Sequence, residues 1–343
     1  MVDKIITPSG PDFEVREQIA EGFWKTPSKE VRDLDAYFNY YTKQCEIMAL
    51  WDGGCFTSVK THKDILRIAK VLKGPIGRER VSCRFLNGKN PTMPDGKQDG
   101  RAIDLAARLL LMIEFGFLEH VAPLVGRPIE WSHGTIQSHI ARCFPNAPVL
   151  GHEGVKLGSI FNAMNLEKIA GVEIVWTDNL VDHLHLLNND KQVAVFNHAS
   201  FLLRQQSDES LYPRAFLDET VQTIKLLFPK WDEATKPWYT QKVASRSTRD
   251  LDPKLIEVGH LSTDERQIEK FQYWHDRLVM LKQVFDESEP SSLRQWWIDR
   301  RKRVQWFTFW VAILVLILTV VFGIIQSVEG GIQAYYTIHQ KKS

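Results

Sequence analysis

The sequence predicts a mainly α-helical domain with a small inset β element, an α+β fold, followed by a single C-terminal transmembrane helix. Three observations carry this expectation. Apolar residues recur at spacings of three and four through most of the chain, the period of a helix with one buried face. Only two segments, 172–177 and 192–196, change to the β-branched and aromatic composition of strands. Residues 306–325 read WFTFWVAILVLILTVVFGII, without one ionisable side chain. As a helix this run spans about 30 Å, the thickness of a bilayer core.

Residues 1–12, with Pro8, Ser9, Gly10 and Pro11, form an expected flexible arm. Residues 13–86 are expected to be a helical region. In it, Ser28 is a candidate N-cap for a helix whose apolar positions Val31, Leu34, Phe38, Tyr41, Cys45 and Met48 run to Gly53 and Gly54. A second helix fits from about His62 to Leu72, closed by Gly74 and Pro75. Residues 87–100, NPTMPDG at their centre, are a loop or linker by composition. Residues 101–245 are expected to hold the helical core and the β element. RAIDLAARLLLMIEF, with Asp99 as its cap, is apolar on nearly all sides and belongs at the centre of the core.

Short helices are expected near Thr135 to Phe144, and from a Ser159 cap to Ile169. The two strands then enclose a helix from Asp178 to Leu187 and an Asn188-Asn189-Asp190 turn. Pro213 suits the first turn of a helix from Arg214 to Phe228. The polar, breaker-rich run from Thr235 to Lys254 reads as exposed, with 246–261 as an exposed stretch. Ser262 and Glu265 form a capping box, so 262–289 is expected as one amphipathic helix through Ile268, Phe271, His275, Leu278, Leu281 and Phe285. Residues 293–326 form the juxtamembrane and transmembrane helix, and 327–343 a C-terminal tail.

The membrane flanks are sided. Arg294, Arg300, Arg301, Lys302 and Arg303 precede the apolar run and only Lys341 and Lys342 follow it, which places the N-terminal domain in the cytosol. Trp296, Trp297, Trp306 and Trp310 mark the same interface. With no apolar signal core in MVDKIITPSGPDFEV, a single-pass, tail-anchored arrangement is expected, in the endoplasmic reticulum or plasma membrane. Along the span, Thr308, Ala312, Val315, Thr319, Gly323 and Gln326 form a stripe of small and polar residues. Such a stripe either packs against a second copy of the helix or bonds to its own backbone.

Charge is balanced, with 43 basic and 42 acidic side chains and a net charge of +1, so no nucleic-acid partner is expected. Cys45, Cys55, Cys83 and Cys143 form no CxxC pair and read as free thiols of a reducing compartment. The chain has no phosphate loop, dinucleotide turn, HExxH or GxSxG motif, so no cofactor or catalytic residue is assigned. Asp178, Asp182, His183, His185 and His198 are the densest group of metal-ligand types; zinc chemistry and a purely structural role are both open, with Asp178 also a cap candidate. His198, Ser200 and Asp208 are the residue types of a hydrolase triad, but no elbow presents the serine.

Three stretches resemble a group of fungal proteins with one C-terminal transmembrane helix and no assigned function: GVEIVWTDNLVDHLHLL from Gly171, VAVFNHASFL from Val193 and RVQWFTFWVAILVLILTVVFGIIQSVEG from Arg303. The likeness covers the second half of the chain and, more loosely, the helix from Arg101. It implies a fungal, membrane-anchored protein and supplies no reaction. A CorA-type magnesium channel also feeds a long helix into a membrane helix. That family needs Gly-Met-Asn after its first span, whereas Met164 and Asn165 here follow Ala163.

The expected function is a membrane-anchored interaction, adaptor or regulatory module with the lipid bilayer and an unknown cytosolic protein as partners. The alternative is a homo-oligomeric channel assembled through the transmembrane helix, and a third reading is a metal-dependent enzyme.

Overall fold

The computed structural model describes residues 10–51, 59–81, 96–116, 124–125, 129–151, 155–206, 210–245, 251–288 and 303–340. The chain divides into two compact units, Met1–Ser288 and Glu289–Ser343. Among the described residues, the first is mainly helical with one small sheet, and the second contains one long helix.

Helix α1, Phe13–Trp24, is capped by Asp12, whose side chain accepts the Val15 amide, and stops at Lys25 with φ of 52°. The sequence reading placed a helical region here without locating this helix. A 3-10 segment, Ser28–Leu34, leads directly into α2, Asp35–Trp51. Ser28 is therefore not the cap: Pro27 holds that position without a side-chain bond. The six apolar positions read from the sequence are nevertheless buried, from Val31 to Met48. Helix α3, His62–Leu72, begins with a complete capping box between Thr61 and Asp64.

Helix α4, Gly96–Leu111, is the centre of the core. Every residue from Leu105 to Ile113 is buried, Arg108 included. It begins inside the expected linker, so Asp99 is a helical residue and not its cap. The buried Arg108 guanidinium donates from Nε to the Phe115 carbonyl at 2.8 Å and from Nη1 to Gln44 Oε1 at 3.4 Å, with Asp104 and Glu114 offsetting its charge. The last four carbonyls of a helix lack partners within it; here the Met112 amide returns to Arg108 O at 2.7 Å, and each of the four also receives a side chain. Tyr40 Oη donates to Arg108 O at 3.3 Å, Tyr37 Oη to Leu109 O at 2.7 Å, Gln205 Nε2 to Leu110 O at 3.2 Å and Tyr212 Oη to Leu111 O at 2.5 Å. Burial raises the pKa of all three phenols.

Helix α5, Ile136–Cys143, is capped by Thr135, and α6, Ala163–Lys168, by Asn162. The latter begins four residues after the expected Ser159 cap. Strand β1, Glu173–Thr177, pairs in parallel with β3, Gln192–Phe196, while β2, Leu186–Leu187, adds antiparallel to β3, giving the order β1-β3-β2. The helix expected between Asp178 and Leu187 does not form. Asn179 caps only a 3-10 turn, Leu180–Asp182. Leu184 then takes a φ of 61°, and its amide bonds to Ala194 O at 2.7 Å while Ala194 donates back to His185 O at 2.8 Å. Pairing with the sheet edge thus displaces helical bonding. The turn falls where expected, with Asn188, Asn189 and Asp190 all at positive φ.

Helices α7, Ala199–Gln205, and α8, Arg214–Leu227, pack together beyond the sheet. The run from Thr235 is not uniformly exposed. It forms α9, Thr235–Ser245, and Trp238, Tyr239, Leu251 and Leu255 are buried. Tyr239 Oη donates to the Asp252 carbonyl at 2.9 Å, which ties this segment to the core. The Ser262–Glu265 box forms, with Ser262 N to Glu265 Oε2 at 2.7 Å, but closes only a turn. Helix α10, His275–Glu287, begins ten residues later. Glu219 of α8 explains the delay, since its carboxylate takes the Gln272 amide at 2.8 Å and the Trp274 amide at 2.7 Å. All six apolar positions read from this stretch are still buried.

In the second unit, α11, Arg303–Gln340, is 38 residues long. Its segment Trp306–Tyr335 is long and apolar enough to cross a membrane, and no other helix among the described residues is. The helix continues through most of the expected tail. Thr319 Oγ1 donates to Val315 O and Ser327 Oγ to Gly323 O, each at 2.8 Å, so both hydroxyls are satisfied within their own helix. Of the expected interface residues, Trp306 and Trp310 lie in its first turns and Arg303 starts it. Trp296, Trp297, Arg300, Arg301 and Lys302 lie outside the described residues.

Candidate functional site: a polar cleft at the ends of two parallel strands

Parallel pairing puts the carboxyl ends of β1 and β3 side by side, with Thr177 opposite Phe196. The residues that follow, Asp178 on one strand and Asn197 and His198 on the other, therefore emerge at the same edge. Open sheets with parallel strands favour ligand sites at this edge. Helix α2 forms the facing wall. Its residues Ala36, Asn39, Tyr40 and Lys43 are spaced by three and four, which sets them on one helical face. Together with Trp176 and Leu251 these groups line a cleft of about 330 Å³.

His198 is the buried floor of the cleft, 1% exposed. Its Nε2 lies 2.8 Å from Asp178 Oδ1. Lys43 Nζ approaches the other oxygen, Asp178 Oδ2, at 3.9 Å, with most of the lysine in solvent. The Tyr40 ring stands edge-on to His198, with centroids 6.0 Å apart. Below the cleft lies Asp252, fully buried and accepting the Ser200 amide at 2.6 Å. Burial pushes its carboxyl pKa up.

The other members of the Asp/His group point elsewhere. His183 is completely buried, with Nε2 against Thr223 Oγ1 at 2.7 Å and Nδ1 accepting the Phe196 amide at 3.2 Å. Burial, then the Arg277 guanidinium, lowers its pKa to about 3. His183 is thus a neutral core residue with both nitrogens engaged. His185 is half-buried and pushed down to about 4, again by burial first and Arg277 second. Asp182 is raised to about 6, by burial and by neighbouring Glu114. Arg277 reaches across to the Val181 and His183 carbonyls at 2.7 and 2.5 Å, and burial brings it down to about 10.

Among the described residues no three His, Cys, Asp or Glu side chains come together to hold a metal ion. The structure unites Asp178 with His198 and separates both from His183. Asp178 is also not the helix cap expected of it, because Asn179 takes that position. The triad reading has no geometry behind it: the acid beside His198 is Asp178, Ser200 gives its amide to Asp252, and Asp208 lies outside the described residues.

Sequence reasoning missed the α2 wall. Asn39, Tyr40 and Lys43 precede Asp178 by well over one hundred positions, and no local spacing connects them. The signal present was a polar pair, Asn39 and Lys43, at i and i+4 on a helix otherwise read for its apolar face. A second cleft, about 380 Å³, lies beside Trp231, His260 and Arg266. Its Asp232 is already bound by Asn162 and Thr235, and none of the candidate metal-ligand or triad residues read from the sequence lines it.

The chain matches no family model, no curated protein and no solved structure.

Proposed function

We propose that this protein is a tail-anchored interaction or regulatory module, with its N-terminal domain in the cytosol and α11 spanning the membrane. One observation carries the reading: a compact folded unit, Met1–Ser288, shares its chain with a helix whose apolar side chains are exposed along its length, Leu316 at 63% and Phe322 at 59% among them. Exposed apolar surface of that extent is stable in lipid and not in water. The resemblance to fungal membrane-anchored proteins points the same way. Self-association through α11 has weaker support, because Thr319 and Ser327 already spend their hydroxyl donors on their own helix.

The test exchanges residues 303–340 for an unrelated anchor addressed to a different membrane and compares the proteins crosslinked to the domain. An adaptor carries its neighbours to the new membrane. If every neighbour stays behind and the reconstituted full-length chain conducts ions, the channel reading replaces this one. Protease treatment of sealed vesicles checks orientation, with an N-terminal tag cleaved and a C-terminal tag protected.

A further inference from the structure

Lys43 shows what the mouth of the cleft accepts. Its ammonium stands 3.9 Å from Asp178 Oδ2, the outer limit of an ion pair, on a side chain that is 66% exposed, and Asp178 itself is 34% exposed. The other oxygen, Oδ1, lies 2.8 Å from His198 Nε2. Pairs so long and so wet contribute little, so the lysine covers the carboxylate without being fixed to it. Lys43 reaches across from α2, and Asp178 follows the end of β1. An ammonium from solution can therefore take the same place.

The surrounding charges favour that exchange. Glu114 faces Asp178, Arg108 and Lys43, Asp182 faces Glu114 and Arg277, and Asp252 faces His198. Burial raises the pKa of these three carboxyls, and Asp178 adds to the rise at Glu114. Arg108 and Arg277 already give N–H groups to main-chain carbonyls. An anion beside Asp178 would work against all four acids, whereas replacing one ammonium by another leaves the balance unchanged. Trp176, half-buried and packed on Phe228 and Tyr239, lines the cleft together with Tyr40. Aromatic rings beside a carboxylate suit an organic cation, and the described residues bring no three metal ligands together there. The volume, about 330 Å³, is at the small end for ligand pockets, roughly 300–1,000 Å³. We propose that the cleft binds a small organic ammonium compound, its cation seated on Asp178 beside Trp176 in place of Lys43. This is independent of whether the domain acts as an adaptor.

The experiment uses the full-length chain labelled with fluorotryptophan, in dodecyl maltoside, whose headgroup carries no ammonium. The fluorine NMR resonance of Trp176 is identified by its absence from Trp176→Phe. It is followed during separate titrations with choline, ethanolammonium, acetate and dimethylbutanol, the uncharged isostere of choline. A saturable shift at millimolar concentration is expected with choline, ethanolammonium or both, the two arms separating quaternary from primary ammonium. Asp178→Asn keeps an acceptor for His198 but loses the charge, so affinity should fall roughly ten-fold or more. Lys43→Met removes the resident cation and keeps a side chain of similar length, so affinity should rise by about two- to five-fold. Unmoved resonances of the other tryptophans confirm that each variant is folded. The proposal is overturned if neither ammonium shifts the resonance, if acetate or dimethylbutanol shifts it as strongly, or if folded Asp178→Asn or Lys43→Met binds as the wild type does.

Discussion

His183 makes acid stability a quantitative test of the core. Its ring is closed in by the Phe196 amide, the Thr223 hydroxyl and the edge of Trp274, whose centroid is 4.9 Å away. Folding moves its pKa from 6.5 down to about 3. The unfolded chain therefore binds a proton in a range where the native chain does not, and stability falls with pH between those two values. The contribution is fully present above pH 6.5 and is lost progressively towards pH 3. At pH 4.5 the unfolded ring is protonated and the native one is not, a difference of about 2 pH units or roughly 2–3 kcal/mol. The perturbation is His183→Asn, whose carbonyl oxygen can replace Nδ1 as acceptor but which does not titrate. Urea unfolding of both full-length chains in mild detergent is followed by near-ultraviolet circular dichroism at pH 7.5 and 4.5. The variant should be less stable by about 1–2 kcal/mol at the higher pH, from the lost bond to Thr223. That deficit should close or reverse at the lower pH. His185 and Asp182 titrate in both chains, so their contributions cancel to first order in the comparison. Stability curves that stay parallel across this range would refute the assignment of His183 as a buried neutral group.

Asp182 has the opposite sign: its pKa is raised to about 6 from 3.8, so ionisation costs stability above pH 6 and costs nothing below the unfolded value. Asp182→Asn should raise stability by about 1 kcal/mol at pH 7 and leave it unchanged near pH 3.5, read from melts at both pH values. Glu219→Ala strands the Gln272 and Trp274 amides and should lower stability by about 2–4 kcal/mol in urea titrations; a loss below about 0.5 kcal/mol would mean solvent reaches those amides. If α11 self-associates through its stripe, Thr319→Leu with Gly323→Leu reduces crosslinked oligomers in native membranes, and unchanged crosslinking removes the homo-oligomer reading.

Where local chemistry decides structure, the sequence was legible. The helix expected over His62–Leu72 forms, and the two strands occupy the residues expected of them, whereas the caps read at Ser28, Asp99 and Ser159 do not form. The burial of α4 followed from an apolar surface on all sides. Some of the failures come from contacts distant along the chain and others from a competing neighbour. Ser262 and Glu265 form their box, yet Glu219 on α8 claims the amides that a helix beginning there would use further on. Asp178 has the composition of a cap, but its neighbour Asn179 bonds the turn and leaves Asp178 to His198. The polar run from Thr235 hides Trp238 and Tyr239, whose burial depends on β1 and on Phe228. At the site, Asp178 and His198 were both visible, while the helix facing them was not, because only the folded topology brings α2 to that edge.

The four side chains that close the end of α4 govern how the cleft can behave. Tyr37 and Tyr40 fasten α2 to that end, Gln205 fastens α7, and Tyr212 fastens the approach to α8. One of them, Tyr40, also lines the cleft, so the wall cannot swing outward without stripping a partner from a buried carbonyl. The cleft wall and the end of α4 therefore belong to one cooperative unit, and their amides should exchange with solvent together rather than separately.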